Sequence, residues 1–310
     1  MISELFTVTV LIGILASGIR LATPYLYASI GETFGQRSGV LNLGVEGQML
    51  LGAFAAFYIA LTTGSLWLGI LAAMIVGALM GLFMAFVTVN LHAQQGISGI
   101  GFYLFGLGLS DLLFQKLMGT VETVKGFPPI KIPWLSSIPG VGEIFFSQNI
   151  LVYGAYLLVP LAWFVLNKTT LGLKIRSVGE NPDAADSLGV SVARIRYFTI
   201  ILGGTLSGIA GASLSIALLN VFQQNMTSGL GFIAVALVYF GAWRPWGVLG
   251  GALLFSMVNS LQLWIQVLGI PIPSEIAVMM PYVLTILVLV ITVSRVRAPS
   301  ALTKPFERED

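Results

Sequence analysis

Long apolar stretches separated by short polar turns dominate the pattern of hydrophobic and polar positions along the chain. Nine of these stretches approach or exceed the roughly 20 residues that an α-helix needs to cross a bilayer. They cover residues 5–28, 41–61, 66–91, 96–117, 150–166, 197–219, 229–243, 248–268 and 276–293. The stretch at 229–243 is short for a full crossing, so we expect it to be tilted, broken or re-entrant. The pattern predicts an all-α, polytopic transmembrane bundle of eight to ten spans, formed by one domain over residues 1–310.

The composition agrees with a membrane protein and excludes several kinds of chemistry. Charged residues make up 9% of the 310 residues, whereas a soluble domain carries about 25%. The chain has no cysteine and one histidine, which excludes disulfides and thiolate catalysis and argues against a bound metal. We therefore expect no metal site, no cofactor, no catalytic residues and no nucleic-acid partner.

The basic residues define an orientation. Nine of the 15 lie in two stretches, 168–196 and 295–308, and the positive-inside rule places both stretches in the cytoplasm. This assignment predicts an outer N-terminus, a cytoplasmic loop at 168–196 and a cytoplasmic tail at 295–310. The proline-rich loop at 119–148 then lies outside, where we expect irregular but ordered backbone.

Two pairs of glycine-rich segments suggest an internal repeat. Residues 98–102 read Ser-Gly-Ile-Gly-Phe and residues 228–232 read Ser-Gly-Leu-Gly-Phe, 130 positions apart. Gly-xxx-Gly spacings at 77–81 and 204–208 are 127 positions apart. In the predicted topology the repeat is inverted, as in many transporters. Chance matching among 36 glycines is the alternative, and the Gly-xxx-Gly spacing itself favours ordinary close helix packing.

The 168–196 loop encodes a short, sharply bounded helix. Asn181 is a suitable N-cap, Pro182 suits the first helical position, and Gly189 can end the helix. Ser191 can then cap the next helix. With small side chains at 184 and 185 expected on its surface, such a helix fits a groove on a cytoplasmic partner; the alternative is a surface helix that only joins two spans.

At this loop the chain resembles a known family. Residues 170–176 (Thr-Leu-Gly-Leu-Lys-Ile-Arg) and 179–189 (Gly-Glu-Asn-Pro-Asp-Ala-Ala-Asp-Ser-Leu-Gly) are similar to the coupling loop of ABC importer permeases for branched-chain amino acids, ribose and nucleosides. Residues 35–49 resemble that family's Glu-Arg-Xaa-Gly-Val-Xaa-Asn-Ile-Gly-Xaa-Glu-Gly segment, with Gln36 in place of the usual acid. Residues 240–247 are similar to its Phe-Gly-Xaa-Trp-Xaa-Pro turn. The chain looks most like the smaller permease of nucleoside importers.

The resemblance implies a type II-like importer fold in a bacterial plasma membrane, with partners on both sides. These are a cytoplasmic ABC ATPase, a second permease that is a different and longer chain, and an external substrate-binding protein or lipoprotein. The ATPase must be a separate chain, because no Gly-xxxx-Gly-Lys-Ser/Thr phosphate loop occurs here. The resemblance assigns coupling to the following residues: Glu180, Asn181, Pro182, Asp183, Ala184, Ala185, Asp186, Leu188 and Gly189.

Polar residues inside the predicted spans are candidates for the transport pathway, since burying them in a bilayer is costly. Asn42 and Glu46 are four apart, which predicts a shared helix face near a cytoplasmic gate. The alternative is that Glu46 caps a helix or pairs structurally, for example with Arg37. The other candidates are Asn220, Phe222 and Gln223 at the outer end of the sixth span, and Asn259 and Gln262 on one face of the eighth.

The sequence therefore predicts the permease subunit of an ATP-driven importer that transports nucleosides by alternating access. A simple sugar such as ribose and a branched-chain amino acid are the alternative substrates. An ion-coupled secondary transporter is a more distant alternative, since the spans contain few carboxylates. A membrane-embedded enzyme is disfavoured because no nucleophile–base pair or metal cluster is apparent.

Overall fold

The computed structural model describes residues 7–269 and 297–307, together with residues 273, 276, 279–283, 286–287 and 290. The ninth predicted span, 276–293, lies largely outside the described residues. Among those described, seven helices are long and apolar enough to cross a membrane, and an eighth apolar helix is shorter. The predicted all-α polytopic bundle is therefore confirmed, while the exact number of spans stays a prediction.

Most helices of the described residues are separated by short connections; the longer ones are residues 118–149, which contain the short helix α5, and residues 219–229 before α10. In chain order they are α1 (Val8–Arg37), α2 (Val45–Thr63), α3 (Leu66–Ala85), α4 (Gln95–Leu117), α5 (Val141–Phe145), α6 (Ile150–Lys168), α7 (Thr170–Glu180), α8 (Pro182–Ser187), α9 (Val192–Ser213), α10 (Leu230–Phe240) and α11 (Pro245–Val267). Wider π-helical turns extend α3 over Phe86–Asn90 and α9 over Leu214–Leu218.

Helix α1 is longer than the sequence pattern predicts. The predicted span ends at residue 28, but the helix continues to Arg37 through a segment that contains Glu32 and Gln36. Both side chains are buried, and Gln36 Nε2 donates to Glu32 Oε1 at 3.0 Å. The prediction was wrong because these polar groups are satisfied inside the protein, so the helix does not have to stop where polarity begins.

Helices α1, α2, α3 and α9 pack together at the centre of the bundle. A close approach joins the two Gly-xxx-Gly segments: a Cβ placed on Gly77 of α3 would overlap the carbonyl of Gly204 on α9, and one on Gly208 would overlap the carbonyl of Ala73. The glycines therefore serve close helix packing. The inverted repeat stays a prediction.

One end of the bundle, which we call the basic end, collects Arg37, Arg176 and Arg244, and α7, α8 and residues 297–307 also lie there. The 119–148 loop covers the other end. There the Val124 N–H donates to the Asn220 carbonyl at 3.0 Å, and the strand β1 (Ile130–Lys131) pairs antiparallel with β2 (Ser147–Gln148). The loop is ordered but largely irregular.

Helix α10 is too short to cross a bilayer alone. Its 11 residues extend about 16 Å at 1.5 Å per residue, roughly half of a hydrocarbon core. Its first turn contacts Glu46 of α2, and the turn after its last residue contacts Gln36 at the basic end. The short seventh stretch thus contains a half-length helix, and residues 219–229 that lead into it are not helical.

Candidate functional site

A buried carboxylate holds the first turn of α10. Glu46 is 1% exposed, and its Oε1 accepts hydrogen bonds from Thr227 Oγ1 at 2.6 Å and from the Gly229 N–H at 2.7 Å. Its Oε2 accepts from the Gly231 N–H at 2.6 Å. A helix N-terminus leaves N–H groups unpaired and favours negative charge. We call Glu46, Thr227, Gly229 and Gly231 the Glu46 latch, because they tie α2 to α10.

Glycine is required on the α10 side of the latch. A Cβ on Gly231 would lie 2.6 Å from both the N and Cα atoms of Glu46, so the two backbones touch. Gly229 has a φ of 92°, a left-handed conformation that side chains disfavour. The Ser-Gly-Leu-Gly-Phe segment is therefore shaped by its contact with the glutamate.

A second set of buried polar groups lies between the latch and the basic end. Its members are connected by hydrogen bonds, and we call them the inner polar cluster: Glu32, Gln36, Asn42, Gln48 and Trp243. Glu32 Oε1 accepts from Gln36 Nε2 and from the Asn42 N–H, each at 3.0 Å. Trp243 Nε1 donates to Gln36 Oε1 at 2.7 Å, and Asn42 Nδ2 donates to Gln48 Oε1 at 3.2 Å. The cluster joins α1, α2 and the turn after α10.

The predicted arrangement of Asn42 and Glu46 needs correction. Asn42 lies in the non-helical segment 38–44 between α1 and α2, so the two residues do not share a helix face. The Asn42 side chain accepts from the Gly44 N–H at 2.9 Å, which helps to turn the chain into α2. Glu46 accepts hydrogen bonds from the backbone at the start of α10, so it caps that helix and not its own. Arg37 instead donates from Nε to the Trp243 carbonyl at 2.9 Å.

Sequence reasoning missed Glu32, Gln48, Thr227 and the role of Trp243. A signal for Glu32 was present, because it is a carboxylate one helical turn before Gln36 and directly follows a long apolar stretch. The resemblance drew attention to the missing acid at position 36, yet a carboxylate lies 3.0 Å from that side chain. No local pattern could reveal Thr227, which is 181 positions from its partner.

The candidates after the sixth span lie in the segment that leads into α10. Phe222 is 0% exposed, and its ring packs against Phe54, Phe57 and Phe114 at centroid distances of 5.3, 6.5 and 5.6 Å. In this conformation the ring is therefore not available to a substrate. Asn220 is half-buried beneath Gly126 of the outer loop, whereas Gln223 is exposed.

Asn259 and Gln262 lie together on α11 but apart from the two polar sets. Gln262 is buried, Asn259 is half-buried, and the neighbouring Ser260 Oγ donates to the Ile14 carbonyl of α1 at 2.8 Å. In the structure, Asn42 lies with Glu32, whereas Glu46 contacts α10. The two α11 amides lie apart from both sets, near the first half of α1.

The predicted short helix of the 168–196 loop is present at the basic end as α8. Asn181 Oδ1 accepts from the Ala184 N–H at 3.0 Å, and Gly189 follows the helix with a φ of 83°. Ser191 Oγ accepts from the Arg194 N–H at 3.4 Å and caps α9, as predicted. Local capping chemistry therefore fixes both ends of α8.

The surface of α8 differs from the predicted one in one residue. Ala184 is exposed, but Ala185 is 3% exposed because it packs with Val178 and Val192. Leu188, directly after the helix, is 85% exposed. The free surface of this segment thus includes Asp183, Ala184 and Leu188.

The basic end also links α8 to α1. A Cβ on Gly179 of α7 would overlap the carbonyl of Arg37, so α7 rests directly on the last turn of α1. The described residues contain no group of three or more His, Asp or Glu side chains that could hold a metal ion. Within the Glu46 latch and within the inner polar cluster, the polar groups hydrogen-bond to protein groups. Such an arrangement is suited to holding and moving helices.

The comparisons with known proteins agree with this architecture. Residues 14–289 match the model of the branched-chain amino acid transport system permease component family. The putative glucose ABC transporter permease protein TsgC13 of Haloferax volcanii is 38% identical, with 96% of this chain and 98% of that protein covered. No solved structure matches the chain.

Two further relatives are named for a different substrate. The nucleoside ABC transporter permease protein NupC of Lactococcus lactis is 39% identical over 93% of this chain and 94% of its own length. The guanosine ABC transporter permease protein NupQ of Bacillus subtilis is 37% identical over 92% and 93%. The protein is thus a multi-pass membrane permease of an ABC transporter, a transport subunit and not an enzyme. It belongs to the branched-chain amino acid transport permease family.

Proposed function

We propose that this chain is one permease of an ABC importer for nucleosides, and that a separate ATPase subunit drives it through α8. The observation that carries the proposal is the α8 segment, a capped helix with an exposed alanine and an 85% exposed leucine at the basic end. The full coupling set is Glu180, Asn181, Pro182, Asp183, Ala184, Ala185, Asp186, Leu188 and Gly189. An exposed apolar side chain beside a short, rigid helix suits a cleft on a protein partner.

Crosslinking tests the docking. Because the chain has no cysteine, Leu188→Cys supplies a single thiol for a photoactivatable maleimide in the assembled complex. We expect a crosslinked product that contains the ATPase subunit. Asn167→Cys, exposed at the end of α6 and outside the coupling set, is the matched control and gives none. Equal yields from the two positions would contradict the assignment.

The gate is proposed at the Glu46 latch and the inner polar cluster. Motion of α8 reaches α1 through the contact between Gly179 and the Arg37 carbonyl. From there the 38–44 segment leads to both polar sets, which tie α1 and α2 to the two ends of α10. Alternating access needs an element with two discrete arrangements, and a half-length helix held by hydrogen bonds at each end can supply it. The exposed or half-buried amides Asn220, Gln223 and Asn259 are proposed contacts along the pathway, with Phe222 and Gln262 uncovered in another state.

The proposed orientation has the basic end and residues 295–310 in the cytoplasm, with the N-terminus and the 119–148 loop outside. The segments assigned to the cytoplasm contact one another, which supports this assignment: the Ala301 N–H donates to the Gly179 carbonyl at 2.9 Å, and His92 lies 3.1 Å from Glu307. In right-side-out vesicles, a membrane-impermeant maleimide should label Ser137→Cys in the outer loop and not Leu188→Cys. The reverse labelling would overturn the orientation.

Nucleosides are the proposed substrates. An external binding protein supplies them, and a second, longer permease forms the transport pathway together with this chain. The similarity to the nucleoside and guanosine permeases supports this class. The glucose permease, which is equally similar, makes a simple sugar the second candidate. Uptake of radiolabelled guanosine into proteoliposomes that contain the whole complex should be saturable and unaffected by excess glucose. Saturable glucose uptake without guanosine uptake would reverse the assignment.

A further inference from the structure

The described tail segment, residues 297–307, is docked along the basic end by backbone hydrogen bonds. The Ala301 N–H donates to the Gly179 carbonyl at 2.9 Å, and the Thr303 N–H donates to the Gly39 carbonyl at 3.1 Å. Ala301 is 4% exposed. Within three residues the tail therefore binds both α7, which leads into α8, and the segment that joins α1 to α2.

A buried arginine marks the point where these elements meet. Arg196 of α9 is 2% exposed, and its Nε donates to the Ser38 carbonyl at 3.3 Å. A Cβ on Gly39 would lie 3.0 Å from the Ala301 carbonyl and 3.2 Å from an Arg196 terminal nitrogen. Gly39 has a φ of 91°. The 38–39 turn is thus held between α9 and the tail with no space for a larger residue.

The end of the tail packs on the small core that supports α8. Phe306 contacts the cluster of Val178, Ala185 and Val192, which joins α7, α8 and α9. At the next residue, Glu307 lies 3.1 Å from His92 Nδ1 in the turn before α4. The inner surface of α8 is therefore covered partly by the tail and not by α7 and α9 alone.

We propose that residues 299–307 are a transmission element that couples α8 to the gate, in addition to the direct contact between α7 and α1. This inference rests on the proposed function of α8. A six-residue helix has little contact area of its own. A force applied to it is therefore transmitted to the segments that pack against its inner surface. The tail packs beneath α8 through Phe306 and holds the 38–39 turn through Thr303, and so it transmits displacement of α8 to the segment that carries Asn42.

The test separates tail docking from tail function. In the assembled complex, Ala301→Arg places a long charged side chain where there is no room, and Phe306→Ala is a milder variant that keeps the backbone contacts. Lys304→Ala, at an exposed position, is the control. Docking is read from a His92→Cys/Glu307→Cys pair, bridged by a short reducible bis-thiol reagent in this otherwise cysteine-free chain.

We expect Ala301→Arg to abolish the bridge and to lower the amount of substrate taken up per ATP hydrolysed about tenfold, within the usual range of coupling between sites. Phe306→Ala should lower the same ratio less, and Lys304→Ala should leave it unchanged. A purely structural role would lower uptake and hydrolysis together with the amount of assembled complex, so the ratio would not move.

An unchanged ratio in Ala301→Arg, with the bridge lost, would overturn the inference. Its failure is distinguishable from failure of the proposed function by a parallel measurement on Ala184→Arg. If Ala184→Arg uncouples uptake from hydrolysis and Ala301→Arg does not, only the tail inference fails. If neither substitution changes the ratio, the assignment of α8 as the coupling helix fails as well.

Discussion

Replacing Glu46 with glutamine is expected to release the first turn of α10. The carboxylate accepts three hydrogen bonds, two at Oε1 and one at Oε2. An amide of the same shape offers one acceptor oxygen and one donor nitrogen, so in either orientation at least one N–H of Gly229 or Gly231 faces another donor. An unsatisfied buried donor costs about 1–3 kcal/mol, and the surviving bonds lose the benefit of the charge, roughly 0.5–1 kcal/mol each.

The expected total is about 3 kcal/mol, which corresponds to roughly a hundredfold change in an equilibrium constant at 1.36 kcal/mol per factor of ten. Local opening of a helix end is measured by amide hydrogen exchange. In nanodiscs, the amides of residues 229–235 should therefore exchange about a hundredfold faster in Glu46→Gln than in the unchanged protein.

Glu143→Gln is the matched control, because the same chemical change is made at an exposed residue of the outer loop. It should leave exchange at 229–235 unchanged. Exchange in Glu46→Gln within about threefold of the unchanged protein would refute the reasoning that the carboxylate holds α10. Uptake by the reconstituted complex should fall together with the loss of protection.

Three further substitutions test the packing. Gly231→Ala puts a Cβ 2.6 Å from the α2 backbone and should cost about 1–3 kcal/mol of stability or more. The cost is measured as a lower thermal midpoint. In the control Gly101→Ala, the added Cβ meets no atom within 4 Å, so the midpoint should not fall. Gly77→Ala should separate α3 from α9 and lower the yield of folded protein by size-exclusion chromatography, whereas Gly101→Ala should not. Trp243→Phe replaces the indole with a smaller aromatic ring that lacks the donor to Gln36, bonded at 2.7 Å, and should cost at least about 1–3 kcal/mol; an unchanged thermal midpoint would argue against the inner polar cluster.

The short helix α8 could be predicted from the sequence because its determinants are local. Asn181, Pro182 and Gly189 act on backbone groups within a few positions, so their chemistry is visible in the order of residues. The orientation of the helix could not be predicted in the same way. Ala185 is buried with Val178 and Val192 in a cluster against which Phe306 packs from 121 positions away, and a short helix carries no periodicity that indicates which side faces the protein.

The buried polar groups that hold α10 were predicted only in part for the same physical reason. A glutamate near the start of a span is conspicuous in a bilayer, so Glu46 could be selected from the sequence. Its partners belong to a helix that begins 184 positions later, and they are mainly backbone N–H groups, which every residue except proline has. Burial of Glu32 and Gln36 likewise depends on tertiary partners, which explains why the first helix extends beyond its predicted end.

The central claim, that ATP hydrolysis by a partner drives transport through α8, is tested most directly by the ATP-dependent uptake of guanosine in proteoliposomes with Ala184→Arg. Ala184 is exposed, so the substitution should not affect folding of the permease, and Asn167→Arg adds the same charge outside the coupling set. We predict that Ala184→Arg lowers uptake by at least about tenfold, within the range of typical coupling free energies, while the complex remains assembled and Asn167→Arg transports normally. Normal ATP-dependent uptake by Ala184→Arg would contradict the account.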